Sequence, residues 1–167
     1  MTQYQTRFGA LGDFQKGGVE IIDDDPRNYV FSNVFEVAST SGPYERVAVA
    51  KNFDYVIEAA RAEGLSGWYA CAHDEFVLCM DGRIEVHLVK PNDPAATPSP
   101  DSLGAHLLLE APDGRKMGRL VLDRGHLGLL PKGSAYRFSA ESPSAMMIQT
   151  QVGPVTVQKW AEICQTS

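Results

Sequence analysis

Gly67-Trp68-Tyr69-Ala70-Cys71-Ala72-His73-Asp74-Glu75-Phe76-Val77-Leu78-Cys79-Met80-Asp81-Gly82 is the stretch on which the reading of this chain turns. Its second half is an apolar run closed by Asp81-Gly82, a dipeptide that tolerates positive φ and so suits a tight hairpin. Six residues separate Glu75 from Gly82. Just beyond, Ile84, Val86 and Leu88 alternate with Arg83, Glu85 and His87, the period of a strand with one buried and one wet face. Farther on, Gly125-His126-Leu127-Gly128-Leu129-Leu130-Pro131-Lys132-Gly133-Ser134-Ala135-Tyr136 places a short apolar strand between a glycine and a Pro-x-Gly turn. Asp113-Gly114 suits a second hairpin, and further strands are expected over 107–110, 116–122, 127–130, 136–139 and 146–152.

Outward from this centre, the segment 91–104 carries four prolines among Asn, Asp, Thr and Ser and reads as a loop between two strands. Phe53, Val56, Ile57 and Ala60 fall at i, i+3, i+4 and i+7, with Asn52 ahead and Gly64 behind, so a helix is expected there. A second is expected at the C-terminus, where Val157, Trp160, Ala161 and Cys164 repeat the spacing after Gly153-Pro154 and a Thr156 cap. The Val-, Phe- and Tyr-rich segment 29–37 reads as a buried strand, and Asp23-Asp24-Asp25-Pro26 as a solvated turn without the spaced oxygen ligands of a calcium loop. Many short strands flanked by two helices describe a mainly β chain, a barrel or double-sheet jelly roll.

Composition bounds what such a barrel does. With 167 residues, 44% apolar and 22% charged, the chain can bury a real core without staples. A net charge of −6 with no basic run argues against nucleic acid as a partner. No window approaches the roughly 18–20 apolar residues of a membrane span, and residues 1–14 hold no apolar run of signal-peptide length, so a cytoplasmic protein is expected. Cys71, Cys79 and Cys164 are odd in number, form no C-x-x-C pair and stand beside no evident base, so inert buried thiols are the default.

The first motif resembles the leading cupin motif, G-x5-H-x-H-x3,4-E-x6-G, and the second resembles its companion, G-x5-P-x-G-x2-H. The resemblance implies a single cupin-type β-barrel, with residues 1–45 as an N-terminal arm and first strands and 46–167 as the barrel with a C-terminal helix. In that family two histidines, the glutamate and the second-motif histidine bind one metal ion. Counting back from Glu75 through a three-residue spacer puts Tyr69 and Cys71 at the first two histidine positions, and Tyr136 at the last. Only the carboxylate survives, and a thiol, two phenols and one carboxylate make a poor donor set for a divalent ion. No metal site is therefore expected. A shift of two residues would instead pair His73 with Glu75 at the cost of the other spacings. His87, His106 and His126 read as structural or solvated.

Nearly the whole chain, from Gly9-Ala10-Leu11-Gly12-Asp13-Phe14 through the two motifs to Lys159-Trp160-Ala161-Glu162-Ile163-Cys164, is similar to the small subunit of two-component hydroquinone 1,2-dioxygenases. That resemblance implies a ring-cleaving enzyme that opens hydroquinone with O2 to 4-hydroxymuconic semialdehyde. It places iron(II) in a larger cupin-like partner subunit, in a heterotetramer, and leaves no catalytic residue in this chain. Tyr4, Phe8 and Phe14 in the Gly-rich arm are candidates to embrace the partner. Two alternatives stay open: a free-standing metallo-cupin dioxygenase using His73 and Glu75 on a small phenol, and a metal-free barrel that binds a small aromatic.

Overall fold

The computed structural model describes residues 9–15, 17–18, 20–25 and 31–164. In chain order its elements are α1 (Val34–Thr40), β1 (Arg46–Lys51), β2 (Val56–Leu65), β3 (Tyr69–Cys71), β4 (Glu75–Asp81), β5 (Arg83–Pro91), β6 (Ala105–Leu107), β7 (Gly114–Asp123), β8 (Leu127–Leu130), β9 (Ala135–Thr150), β10 (Thr156–Val157) and α2 (Trp160–Ile163). A short 3-10 turn, Pro94–Ala96, lies in the proline-rich loop between β5 and β6.

Strand β9 organises the barrel. Its C-terminal half pairs antiparallel with β2 on one side and β4 on the other, extending a sheet through β1 to β10 and through β4 to β8. Its N-terminal half pairs with β5 and β3, which carry β7 and β6. The two runs expected over 136–139 and 146–152 are thus one strand of 16 residues shared by both halves. Side chains from both halves meet in one core, including Ala60 and Ala62 of β2, Val77 of β4, Ile84, Val86 and Leu88 of β5, and Phe138, Met146 and Ile148 of β9. The alternation read from β5 is borne out, since Ile84 and Val86 are fully buried and Leu88 nearly so. This is the mainly β, cupin-type barrel that the motifs implied, with two helices among the described residues, one of them not where it was expected.

Several local readings are corrected. The helix expected from Phe53 to Gly64 is strand β2, and Phe53 itself is fully exposed. Glu58, Ala60 and Ala62 face the barrel interior, while Ile57 and Ala59 join Val37 of α1 and Val47 and Val49 of β1 in a second core on the outer side. A strand buried on both faces loses clean alternation, and tertiary pairing overrides the helix preference of Ala, Glu and Arg. The strand expected over 29–37 fails for the described part, because Val34 to Val37 lie in α1. Asn33 caps that helix, its side-chain oxygen accepting from the Phe35 and Glu36 amides. At the C-terminus the helix shrinks to four residues; Thr156 belongs to β10 and turns its hydroxyl to Glu58.

Neither Asp-Gly dipeptide closes a tight hairpin. Gly82, at φ +73°, takes the chain from β4 in one half of the barrel to β5 in the other, and those strands do not pair. Gly114 opens β7, which does pair with β5, but across a loop that holds β6. The short strand expected over 107–110 begins and ends earlier, as β6.

Candidate functional site

The four motif positions converge. Tyr69 and Cys71 lie on β3, Glu75 opens β4, and Tyr136 is near the start of β9; all four are buried, Glu75 completely. Tyr69 and Tyr136 are register partners, and their rings stack at 5.8 Å. What fills the space among them is a side chain the sequence reading did not single out, Arg46 from the first residue of β1, only 2% exposed.

The Arg46 guanidinium is bonded on every side. Its Nη2 donates to Glu75 Oε1 at 2.8 Å, its Nε to Glu58 Oε2 at 2.5 Å and its Nη1 to the Tyr136 hydroxyl at 3.1 Å. Its Cζ lies 5.6 Å from the centre of the Tyr69 ring, within cation–π range. The second oxygen of each carboxylate is also occupied. Tyr136 donates its hydroxyl to Glu75 Oε2, and Thr156 Oγ1 donates to Glu58 Oε1 at 2.6 Å. Burial works against the guanidinium charge, but Tyr136, Glu75 and Glu58 outweigh it and hold Arg46 protonated well above its ordinary range. Burial first, then the Glu75 charge, pushes the Tyr136 phenol far up, so it remains a donor.

A thiol and an imidazole flank this cluster. Cys71 Sγ is 3.1 Å from His73 Nδ1 and donates to the Gly104 carbonyl at 3.1 Å, while His73 Nε2 lies 3.1 Å from Thr150 Oγ1. The expectation that no base stands beside a cysteine is corrected here: two residues along the chain, past the end of β3, the backbone brings His73 back over Cys71. The thiol is nonetheless no thiolate. Burial, then Glu75, pushes its pKa up to about 12. Cys79, facing the core, is pushed up to about 11 by burial and by Asp123 and Asp81.

Cys71, His73 and Glu75 offer donor atoms within 4.8 Å of one another, the two-residue shift considered from sequence. They do not fit a divalent ion. Both Glu75 oxygens are already hydrogen-bonded, and a buried guanidinium sits against the carboxylate. A cleft of about 390 Å³ opens beside His73, walled by Tyr55, Asp74, Phe76, Lys132 and Gln149.

The remaining candidates stay apart from the ring. His87 on β5 is 3.4 Å from Glu85, and His126 accepts from the Asp123 amide in the β7–β8 turn. His106 of β6 is half-buried, with Nε2 unpartnered. Phe14 is half-buried, and Tyr4 and Phe8 lie outside the described residues. Arg46 and Glu58 were missed because isolated charges read as solvated positions. Their one signal is parity, since each begins an inward series, Arg46 with Ala48 and Glu58 with Ala60 and Ala62.

A scan against protein-family models and a search of curated proteins return no match. Solved structures do match. A chain of hydroquinone 1,2-dioxygenase from Sphingomonas sp. TTNP3, with 4-hydroxybenzoate bound, is 67% identical over 99% of each chain, with a TM-score of 0.93. A chain of hydroquinone 1,2-dioxygenase PnpCD, in complex with Cd2+ and 4-hydroxybenzonitrile, is 49% identical over 98% of each, with a TM-score of 0.90. A chain of PnpCD in complex with Fe3+ shares only the fold, at 11% identity and a TM-score of 0.59, over 88% of this chain but 41% of its own length.

Proposed function

The chain belongs to the hydroquinone 1,2-dioxygenase family, and from that premise we propose that it is the small, non-catalytic subunit of the enzyme, held in a cytoplasmic heterotetramer with a larger cupin-like chain that carries the iron. The observation that carries this reading is the state of the ring. At the positions where cupins hold histidines this chain has Tyr69, Cys71 and Tyr136, and its retained Glu75 is committed to Arg46. The longer chain in the PnpCD structure, which shares this fold over 41% of its length, supports a division of labour between two barrels. Iron(II) on that larger chain would supply the oxygen activation that opens hydroquinone to 4-hydroxymuconic semialdehyde.

This chain's part is then to present a rigid surface. Phe76 of β4 and Leu129 of β8, register partners at 40% and 45% exposure, stand with Leu127 at 62% on one outer sheet face. Exposed apolar side chains grouped in this way are what a larger partner would cover. Co-expression with the larger chain, followed by size exclusion, metal analysis of each subunit and a ring-cleavage assay, tests the proposal. Iron should follow the larger chain and activity should need both. Full activity from the larger chain alone would end the subunit reading.

A further inference from the structure

The geometry points to Arg46 as a built-in replacement for the metal ion: its guanidinium occupies the centre on which the four motif positions converge, and it bars any divalent cation from this barrel. The claim goes beyond the subunit reading, since it concerns what this chain's own interior accepts whatever partner it has.

Three features support it. The first is position. A cation already contacts both Glu75 and Tyr136 and faces the Tyr69 ring, so three of the four motif positions serve a charge that is covalently part of the chain. The second is anchorage. Arg46 is pinned through Glu58 from β2, whose other oxygen is held by Thr156 of β10, and the residue is too deeply buried to swing its charge into solvent. Arg46 and Thr156 are also register partners, so the backbone fixes both ends of this clamp. The third is electrostatics. A divalent ion bound by Cys71, His73 and Glu75 would share the Glu75 carboxylate with the guanidinium, and like charges a few ångströms apart in a buried site repel strongly. A guanidinium never loses its charge to make room.

The test is a cobalt(II) and zinc(II) titration of the full chain in three forms: natural, Tyr69→His/Cys71→His/Tyr136→His, and the same triple variant carrying Arg46→Met and Glu58→Gln as well. Circular dichroism checks the fold of each. The expected result is no saturable binding by the first two and a saturable site in the third. Saturable cobalt binding by the natural chain, with a thiolate charge-transfer band from Cys71, would overturn the inference. So would equal affinity in the two histidine-bearing forms, or no binding by the folded form that lacks Arg46. A measurement on the natural chain stands apart from any variant's folding. The nitrogen-15 resonance of Arg46 Nε–H should remain unshifted and slowly exchanging through the zinc titration, and its displacement at stoichiometric zinc would show the ion entering.

Discussion

Arg46→Met removes the one cation from a buried cluster that holds two carboxylates. Glu58 and Glu75 are each fully buried and each lose a charge-assisted hydrogen bond, as does the Tyr136 hydroxyl. Stripping one partner from a buried ion pair costs about 3–5 kcal/mol, because the remaining charge is left without compensation. A chain of this size shifts its Tm by roughly 2–4 °C per kcal/mol, so a fall of about 6–20 °C is expected. The companion variant Arg46→Met/Glu58→Gln/Glu75→Gln removes all three charges. It keeps oxygen acceptors for the Thr156 and Tyr136 hydroxyls. It should recover to within about 1 kcal/mol of the natural chain, since a buried ionic cluster and a neutral one of equal shape are close in energy. Urea denaturation of the three proteins reads both quantities. A loss under about 1 kcal/mol in the single variant, or no recovery in the triple, would refute the idea that this cluster is a closed electrostatic unit.

Alkaline pH should destabilise the fold. Burial raises Tyr44 and Cys71 to about 12 and Cys79 to about 11, with Tyr69 and Tyr136 also raised. Above the unfolded thiol and phenol values of roughly 8.5 and 10 the unfolded chain binds fewer protons than the native one, so stability falls as pH climbs from about 9 toward 12; a urea midpoint that stays level or rises across that window contradicts this. At pH 8, Ellman's reagent should titrate half-buried Cys164 in the native chain and reach Cys71 and Cys79 only on unfolding; prompt reaction of all three thiols would place the core cysteines wrongly. Gly104→Ala should cost about 2 kcal/mol or more, because φ is +66° and a Cβ would lie 2.5 Å from Gly153 Cα. Gly118→Ala, with open space around it, should stay within about 0.5 kcal/mol, and the contrast is read from their thermal midpoints.

Some of this was legible in the sequence for plain physical reasons. The β5 alternation was readable because one face meets the core and the other meets a wetter environment. The ring positions Tyr69, Cys71, Glu75 and Tyr136 were readable through the resemblance to the two cupin motifs, whose glycines and proline this chain carries at the matching spacings. β2 was not readable, because α1 and the barrel interior bury both of its sides and the helical spacing of Val56, Ile57 and Ala60 is a by-product of that double burial. α1 did carry its signal, with Asn33 followed three residues later by Glu36 at the start of the helix, but the Val and Phe content masked it. The Arg46–Glu58 contact is a fact of register: Glu58 pairs with Ala48 in β2–β1, and no local pattern announces which charges that pairing brings inside.

The retained glutamate is best understood through what surrounds it. A cupin barrel stripped of histidines could have filled its centre with apolar side chains at little cost in stability, since buried ion pairs seldom outperform good packing. Here two glutamates, Glu58 and Glu75, are buried instead, and Arg46 satisfies both while Tyr69 and Tyr136 close over it. Directional bonds to β2, β4 and β9 leave one guanidinium of β1, and β10 joins through Glu58, so five strands are tied in one register around one residue. Apolar packing tolerates sliding, and such a cluster does not. For a chain whose proposed task is to present a fixed outer face to a catalytic partner, geometry is what the centre of the barrel has to supply. On the proposal above, the point on which the strands converge is the side chain of Arg46 rather than an ion.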